Sequence, residues 1–273
     1  MSVDVRWLVT VGALLSGAWF GQEPQGSAGR TPAPPAPVIA ELFTSEGCSS
    51  CPPADDLLSD LVRRQPVPGV EVLALAEHVD YWDRLGWRDR FSSAALTARQ
   101  TDYDAHVFHT NSIYTPQLVV DGQFQAVGSD RGAVRRALLR AARMPQATVR
   151  IGAAPLPDRL DARVDVRVDV PASLALRGGA DVLVAIVEDN LTTDVRRGEN
   201  SGRTLRHTAV VRSLSRIGAM AAGNRAWSTT ASVPLGVDWK LESLRAIAFL
   251  QERDTRRVVG AAGSSLATKT GIR

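Results

Sequence analysis

Val38-Ile39-Ala40-Glu41-Leu42-Phe43-Thr44-Ser45-Glu46-Gly47-Cys48-Ser49-Ser50-Cys51-Pro52-Pro53 decides the reading of this chain. An apolar run of strand character ends in both of the chain's cysteines, two residues apart. A helical pattern follows at once over residues 52–65. Pro52 and Pro53 suit a first helical turn, Asp55 and Asp56 suit its positive end, and Leu57, Leu58, Leu61 and Val62 repeat at helical spacing. Two thiols at this spacing can close a disulfide and reopen it. At a helix N-terminus the dipole and free backbone N–H groups favour thiolate, the form that attacks disulfides.

Outward from that stretch the first half alternates strands and helices. Val70 to Val79 is a nearly continuous apolar run, as in a parallel sheet covered on both faces. A helical stretch is expected over Arg88–Val107, then a strand at Gln117–Val120, a tight turn at Asp121-Gly122 and a strand at Phe124–Val127. Asp130 is placed to cap a helix running to about Arg143. After Met144-Pro145 the pattern becomes purely β. Strands are expected at Thr148–Ala153, Leu160–Val170, Asp181–Glu188, Leu205–Val211, Ala226–Val233 and Ala246–Gln251. The expected organisation is an α/β domain over 38–146, followed by a separate all-β, sandwich-like domain over 147–262 and a tail over 263–273.

Composition narrows the function classes. The chain has 273 residues, is 44% hydrophobic and 22% charged, and carries a formal net charge of +3. Of its 32 basic residues only Lys240 and Lys269 are lysines, and the arginines are scattered, with no dense basic block among aromatics. That argues for arginine-rich composition and against nucleic-acid binding. Arg6 precedes a 14-residue apolar run from Trp7 to Phe20, which is short for a bilayer span and reads as an export signal or N-terminal anchor over residues 1–28. A Gly-, Pro-, Ser- and Ala-rich stretch ending in a tether over 29–37 follows. No later run is long enough to form an integral membrane domain. A periplasmic or extracellular location is expected, an oxidising setting in which a disulfide persists.

The first half resembles the thioredoxin superfamily. The matching pieces are a strand, CxxC at a helix N-terminus, a second strand, a helical insertion, and Tyr114-Thr115-Pro116 leading into a strand, a hairpin and a last helix. The chain is also similar to an exported family of unassigned activity with a thioredoxin-like domain, through Glu41-Leu42-Phe43-Thr44-Ser45-Glu46-Gly47-Cys48 and His78-Val79-Asp80-Tyr81-Trp82. The resemblance implies an α/β thioredoxin-like fold over roughly 36–144. It implies a cis Pro116 lying against the cysteine pair, and a Thr115 backbone offered to a bound peptide. Gly47 stands where thioredoxin has a tryptophan, and Ser49-Ser50 replaces the usual Gly-Pro.

On this reading Cys48, taken as the more exposed thiol, attacks, and Cys51 resolves the mixed disulfide. The simpler alternative is a static staple, for which a loop of about four residues is worth about 2 kcal/mol. Glu41, mid-strand among apolar residues, is either a proton shuttle to Cys51 or the partner of an arginine. Glu46, beside the pair, disfavours a thiolate. Tyr114, Thr115 and Trp82 are the candidate substrate-binding residues, with Tyr81 as a further wall. His78, with Asp80 orienting its ring, is a candidate acid–base group. With Cys48 and Cys51 it is the candidate site for Cu(I), which prefers soft thiolates. His106 and His109, with Asp102 and Asp104, form a surface cluster. Gly198-Glu199-Asn200-Ser201-Gly202, flanked by Arg203, Arg206, His207 and Arg212, reads as a solvated loop, or else as an anion or partner site. The function expected is an exported thiol–disulfide oxidoreductase acting on a protein or small-molecule disulfide. It needs no organic cofactor, only the Cys48/Cys51 couple. The rivals are a Cu(I)-handling protein and a non-catalytic binding module.

Overall fold

The computed structural model describes residues 1–2, 34–157 and 160–267. The expected signal or anchor lies outside the described residues, as do most of the tether and the end of the tail. Pro34–Arg273 forms one compact unit.

The first strands and helices follow the apolar patterning. They are β1 (Ala36–Thr44), α1 (Pro52–Arg64), β2 (Val70–His78), α2 (Ala94–Tyr103), β3 (Gln117–Val120), β4 (Phe124–Val127) and α3 (Arg131–Ala141). α2 is shorter than the expected helical stretch and is followed by a single π turn over Asp104–Phe108. Asp130 caps α3 by accepting the Ala133 N–H. Asp121 and Gly122 take φ of 45° and 66° in the β3–β4 hairpin, the left-handed pair that a two-residue turn favours. A Cβ on Gly122 would sit 2.1 Å from the Arg256 carbonyl oxygen, so that close approach also requires glycine.

The second half forms β5 (Thr148–Pro155), β6 (Asp161–Asp169), β7 (Ala180–Glu188), β8 (Leu191–Asp194), β9 (Thr204–His207), β10 (Val210–Met220), β11 (Ala226–Pro234), β12 (Leu244–Glu252) and β13 (Val258–Ser265). The expected strand at Leu205–Val211 is two strands, broken at Thr208-Ala209 where Ala209 has φ of 56°.

The fold class departs from expectation. There is no α/β thioredoxin fold followed by a separate all-β domain. One mixed sheet of eight strands, ordered β13-β12-β7-β10-β2-β1-β3-β4, runs through both halves of the chain. The junction is β10, which leaves the second half and pairs parallel with β2, Val210 opposite Ala76. β2 is apolar on both faces and had an unpaired edge, and burying that edge removes exposed N–H and C=O groups. Among the described residues, β11-β6-β5 forms a sheet apart, and β8 and β9 a small hairpin.

Pairing register sets the layers. β1 pairs parallel with β2 and antiparallel with β3, so Leu42, Leu118 and Ala76 share a face. α1 and α3 cover that face in one apolar core that includes Leu57, Leu58, Leu61, Val134 and Leu138. Further along the sheet, Val182, Val184, Ile186, Ala248 and Leu250 pack against Val164, Val166 and Val168 of the three-stranded sheet. α2 lies on the opposite face, with the Arg99 guanidinium 5.6 Å from the Phe249 ring centre. The placement of β10 has a local consequence. Because Val210 joins the C-terminal end of β2, residues 191–209 must lie at that end of the sheet, where the cysteines are.

Candidate functional site

Cys48 and Cys51 are joined in a disulfide, with Cα atoms 5.5 Å apart. Cys51 is the N-cap of α1 and Pro52 and Pro53 fill its first turn. The turn is closed by Cys48 N–H to Ser45 C=O and Cys51 N–H to Cys48 C=O. The supply of free amides at this helix end is therefore small: the two prolines have none, and Ala54 and Asp55 donate to the Cys51 carbonyl. Ser50 Oγ lies 3.4 Å from Cys48 Sγ. The expected difference in exposure between the two thiols is absent, since both cysteines are 0% exposed.

Several expected wall residues do come together. Trp82 Nε1 donates to Thr115 Oγ1 at 2.8 Å, and Thr115–Pro116 is a cis peptide. A Cβ on Gly47 would lie 3.1 Å from Trp82 Cβ and 3.5 Å from its carbonyl oxygen, so the base of the Trp82 residue takes the space beside Gly47. The Pro116 carbonyl accepts the Gly128 N–H, and Gly128 is wedged between Pro116, Leu42 and Ala54 of α1. Tyr81 donates to Gln100, and the Tyr114 carbonyl accepts from the same Gln100 side chain.

Glu41 belongs to a different cluster. It is fully buried, accepts from Arg99 Nε at 2.5 Å and from the Tyr103 hydroxyl at 2.6 Å, and has neither cysteine among its partners. Its structural alternative, pairing with an arginine, is the observed arrangement. Glu77 lies beside it, 3.4 Å from the same guanidinium, with no hydrogen-bond partner on either carboxyl oxygen. Burial and the neighbouring Glu41 push the Glu77 carboxyl well above the ordinary carboxylate range.

His78 is oriented by Asp89 and not by Asp80. Its Nδ1 lies 2.6 Å from Asp89 Oδ2, whereas Asp80 accepts from Thr97. Burial alone would lower the His78 pKa, but the Asp89 carboxylate overrides it and holds the imidazole up. The His78 ring packs edge-on to those of Phe91 and His207, at 5.4 and 5.1 Å. His207 Nε2 in turn lies 3.2 Å from Glu46 Oε1, and Trp87 Nε1 donates to Glu46 Oε2. Asp55, one turn into α1, accepts from Thr44, and desolvation lifts its carboxyl to about 6. The buried Glu46, His78, Asp89 and His207, with the half-buried Asp55, thus gather at the ends of β1 and β2. Among the described residues no three His, Cys, Asp or Glu side chains are arranged to hold a metal ion. His106 and Asp102 pair on the surface, where Asp102 also holds Arg256.

The loop between β8 and β9 is the main feature that sequence reading missed. It reads as a solvated hairpin, yet Asn200 is 1% exposed. Asn200 Nδ2 donates to the carbonyl oxygens of Glu46 and Cys48, both at 2.9 Å, and Arg203 holds its Oδ1. Glu199 accepts the Ser49 N–H at 3.1 Å, and hydrogen bonding from the Ser49 side chain and this amide holds the Glu199 carboxyl below its ordinary value. Glu199, Asn200 and His207 could not be linked to Cys48 across about 150 residues without knowing that β10 joins β2.

A family model described as "Protein of unknown function (DUF1223)" matches residues 39–251, and the chain belongs to that family. Among solved structures it is similar to that of an Agrobacterium tumefaciens structural-genomics target. The identity is 28% and the TM-score 0.64, over 89% of this chain and 99% of that one. It is also similar to HBP35 of Porphyromonas gingivalis, at 13% identity and a TM-score of 0.65, over 89% of this chain and 81% of that one. That second likeness concerns the fold alone. No curated protein matches the chain.

Proposed function

We propose that the chain is an exported thiol–disulfide oxidoreductase that works through the Cys48/Cys51 couple. The observation that carries this reading is a closed disulfide between cysteines two residues apart at the N-cap of α1, next to a turn whose Gly47 meets Trp82, the residue that bonds Thr115 before the cis proline. The resemblance of CxxC and Tyr114-Thr115-Pro116 to the thioredoxin superfamily supports it too. Export rests on the apolar run after Arg6.

In the reducing direction a Cys48 thiolate attacks one sulfur of a substrate disulfide and expels the other as thiolate. Cys51 thiolate then attacks Cys48 Sγ, re-forms the Cys48–Cys51 bond and releases the second substrate thiolate. The substrate gains two electrons, the protein loses two, and a dithiol donor restores the reduced pair. In the oxidising direction a substrate dithiol traverses the same steps in reverse. The helix dipole of α1 favours the attacking thiolate, while Glu46 and Glu199 oppose it.

The test is disulfide exchange between the protein and a dithiol or disulfide peptide, followed by mass spectrometry. Expected are a Cys51→Ser protein trapped as a mixed disulfide on Cys48 and a Cys48→Ser protein that exchanges nothing. An equal, negligible exchange in all three proteins would leave the pair as a static staple. The complete burial of both cysteines favours that second reading. It predicts a disulfide that resists reduction until the protein unfolds.

A further inference from the structure

We propose that the loop Val195–Arg203 is a latch over the Cys48–Cys51 bond, and that its opening, controlled by Asn200, sets the rate at which any thiol reaches the sulfurs. The inference deepens the redox reading and rests on it. It starts from a conflict: a bond meant for exchange must admit an attacking thiolate in line with the S–S axis, yet neither cysteine has accessible surface.

The segment assigned as the cover is joined to the cysteine turn by few bonds. Asn200 binds the carbonyls on both sides of Gly47, those of Glu46 and Cys48, and Glu199 binds the amide of Ser49. Three backbone groups of the turn, two carbonyls and one N–H, thus take partners from two side chains of one loop. Gly198 lies against Trp87, whose Cβ would be 3.1 Å from a Cβ added there, so the loop also seals the side of the turn nearest Glu46. Within the loop the bonds are local and close on themselves, Gly202 N–H to Val195 C=O and Val195 N–H to Arg203 C=O. The loop can therefore move as a unit without breaking the eight-stranded sheet.

Three side-chain bonds and limited packing are a small barrier. A neutral hydrogen bond shifts an equilibrium by roughly threefold to tenfold, so the latch opens by local motion rather than by global unfolding. The Glu46 carbonyl and the Ser49 N–H become available to an incoming peptide, and the Cys48 carbonyl, which keeps the Cys51 N–H, gains room for a second donor. The latch thus regulates access and occupies the positions that a bound polypeptide backbone would fill.

The test follows reduction of the oxidised full chain by tris(2-carboxyethyl)phosphine under native conditions. Alkylated Cys48 is quantified by mass spectrometry over time. Asn200→Ala removes both donated bonds, and Asn200→Asp keeps the size but sets an oxygen against two carbonyl oxygens. Glu199→Gln, on the surface, weakens only the Ser49 contact and leaves folding intact. Expected are reduction at least tenfold faster for the Asn200 variants and two- to threefold faster for Glu199→Gln. Equal rates for Glu199→Gln and for whichever Asn200 variants keep the wild-type circular dichroism would overturn the latch. Failure of the redox reading is seen separately. In that case the Asn200 variants reduce faster with the phosphine, yet neither they nor the wild type exchanges with a peptide dithiol or disulfide.

Discussion

Trp82 Nε1 donates to Thr115 Oγ1 at 2.8 Å, and so the turn after β2 is tied to the residue before the cis proline. Trp82 is half-buried, and its Cβ lies beside Gly47. Trp82→Phe keeps most of the ring area but removes the N–H that Thr115 accepts. Urea unfolding is expected to show a loss of about 1 kcal/mol, the usual net worth of one hydrogen bond. Exchange with a disulfide peptide is expected to slow several-fold, because Thr115 is no longer tied to the Trp82 turn that meets Gly47. Thr115→Val, which breaks the same bond from its other end, is expected to match it. A slowing of exchange in only one of the two variants would show that this bond does not position the wall.

The disulfide contributes little to stability. It closes a loop of about four residues, which in the chain-entropy model is worth about 2 kcal/mol. Cys48→Ser/Cys51→Ser is therefore expected to fold and to lose no more than about 2 kcal/mol in chemical denaturation. A loss above about 4 kcal/mol would mark the bond as structural.

The local pattern was legible. The apolar run of β1, the spacing of leucines in α1, the Asp121-Gly122 turn and the Asp130 cap all appear where the residue order places them, because each depends on neighbours within a few positions. The sheet was not legible, because nothing in Val210–Met220 states that its partner is Val70–His78 and not another strand of the second half. A run of alternating apolar residues fits either. The same gap hid Asn200, which reads as a loop residue until β10 carries it to Cys48. His78 is legible as a chemically significant residue, but its orienting acid is not the neighbouring Asp80: Asp89, reached by a turn of the chain, takes that role.

Arg99 holds together the polar cluster on the other face of the sheet. It contacts Glu41 and Glu77, both fully buried, and also bonds Tyr103 and Gln251. Arg99→Leu leaves two carboxyl groups buried without a counter-charge, and a loss of about 3–5 kcal/mol is expected at neutral pH. Glu77→Gln is expected to do the opposite. The Glu77 oxygens have no hydrogen-bond partner, and burial favours the neutral form. The substitution should therefore raise the urea midpoint at pH 8, and the gain should shrink as pH falls. A Glu77→Gln protein less stable than wild type at pH 8 would show that this carboxylate is needed as a charge.

Asp121 ties stability to pH in a direction opposite to ordinary acid denaturation. It is 5% exposed in the β3–β4 turn and accepts the Ile39 N–H at 2.8 Å. Burial lifts its carboxyl from 3.8 to about 8, against the partial relief of that N–H. A raised folded value means that the native state holds the proton more tightly than the unfolded chain. The contribution to stability is complete below about pH 4, falls as pH rises, and is lost by about pH 8, where both states are ionised. Asp55, lifted to about 6, adds a smaller loss of the same sign between about pH 4 and 6. Asp121→Asn keeps an acceptor for Ile39, tolerates the left-handed backbone of this turn, and cannot ionise. Its Tm is expected to equal that of the wild type near pH 4 and to exceed it progressively up to pH 8, by an amount corresponding to a few kcal/mol. Thermal melts at half-unit intervals from pH 4 to 9 read this directly. A difference between the two proteins that stays constant across that range would mean that Asp121 does not titrate within it.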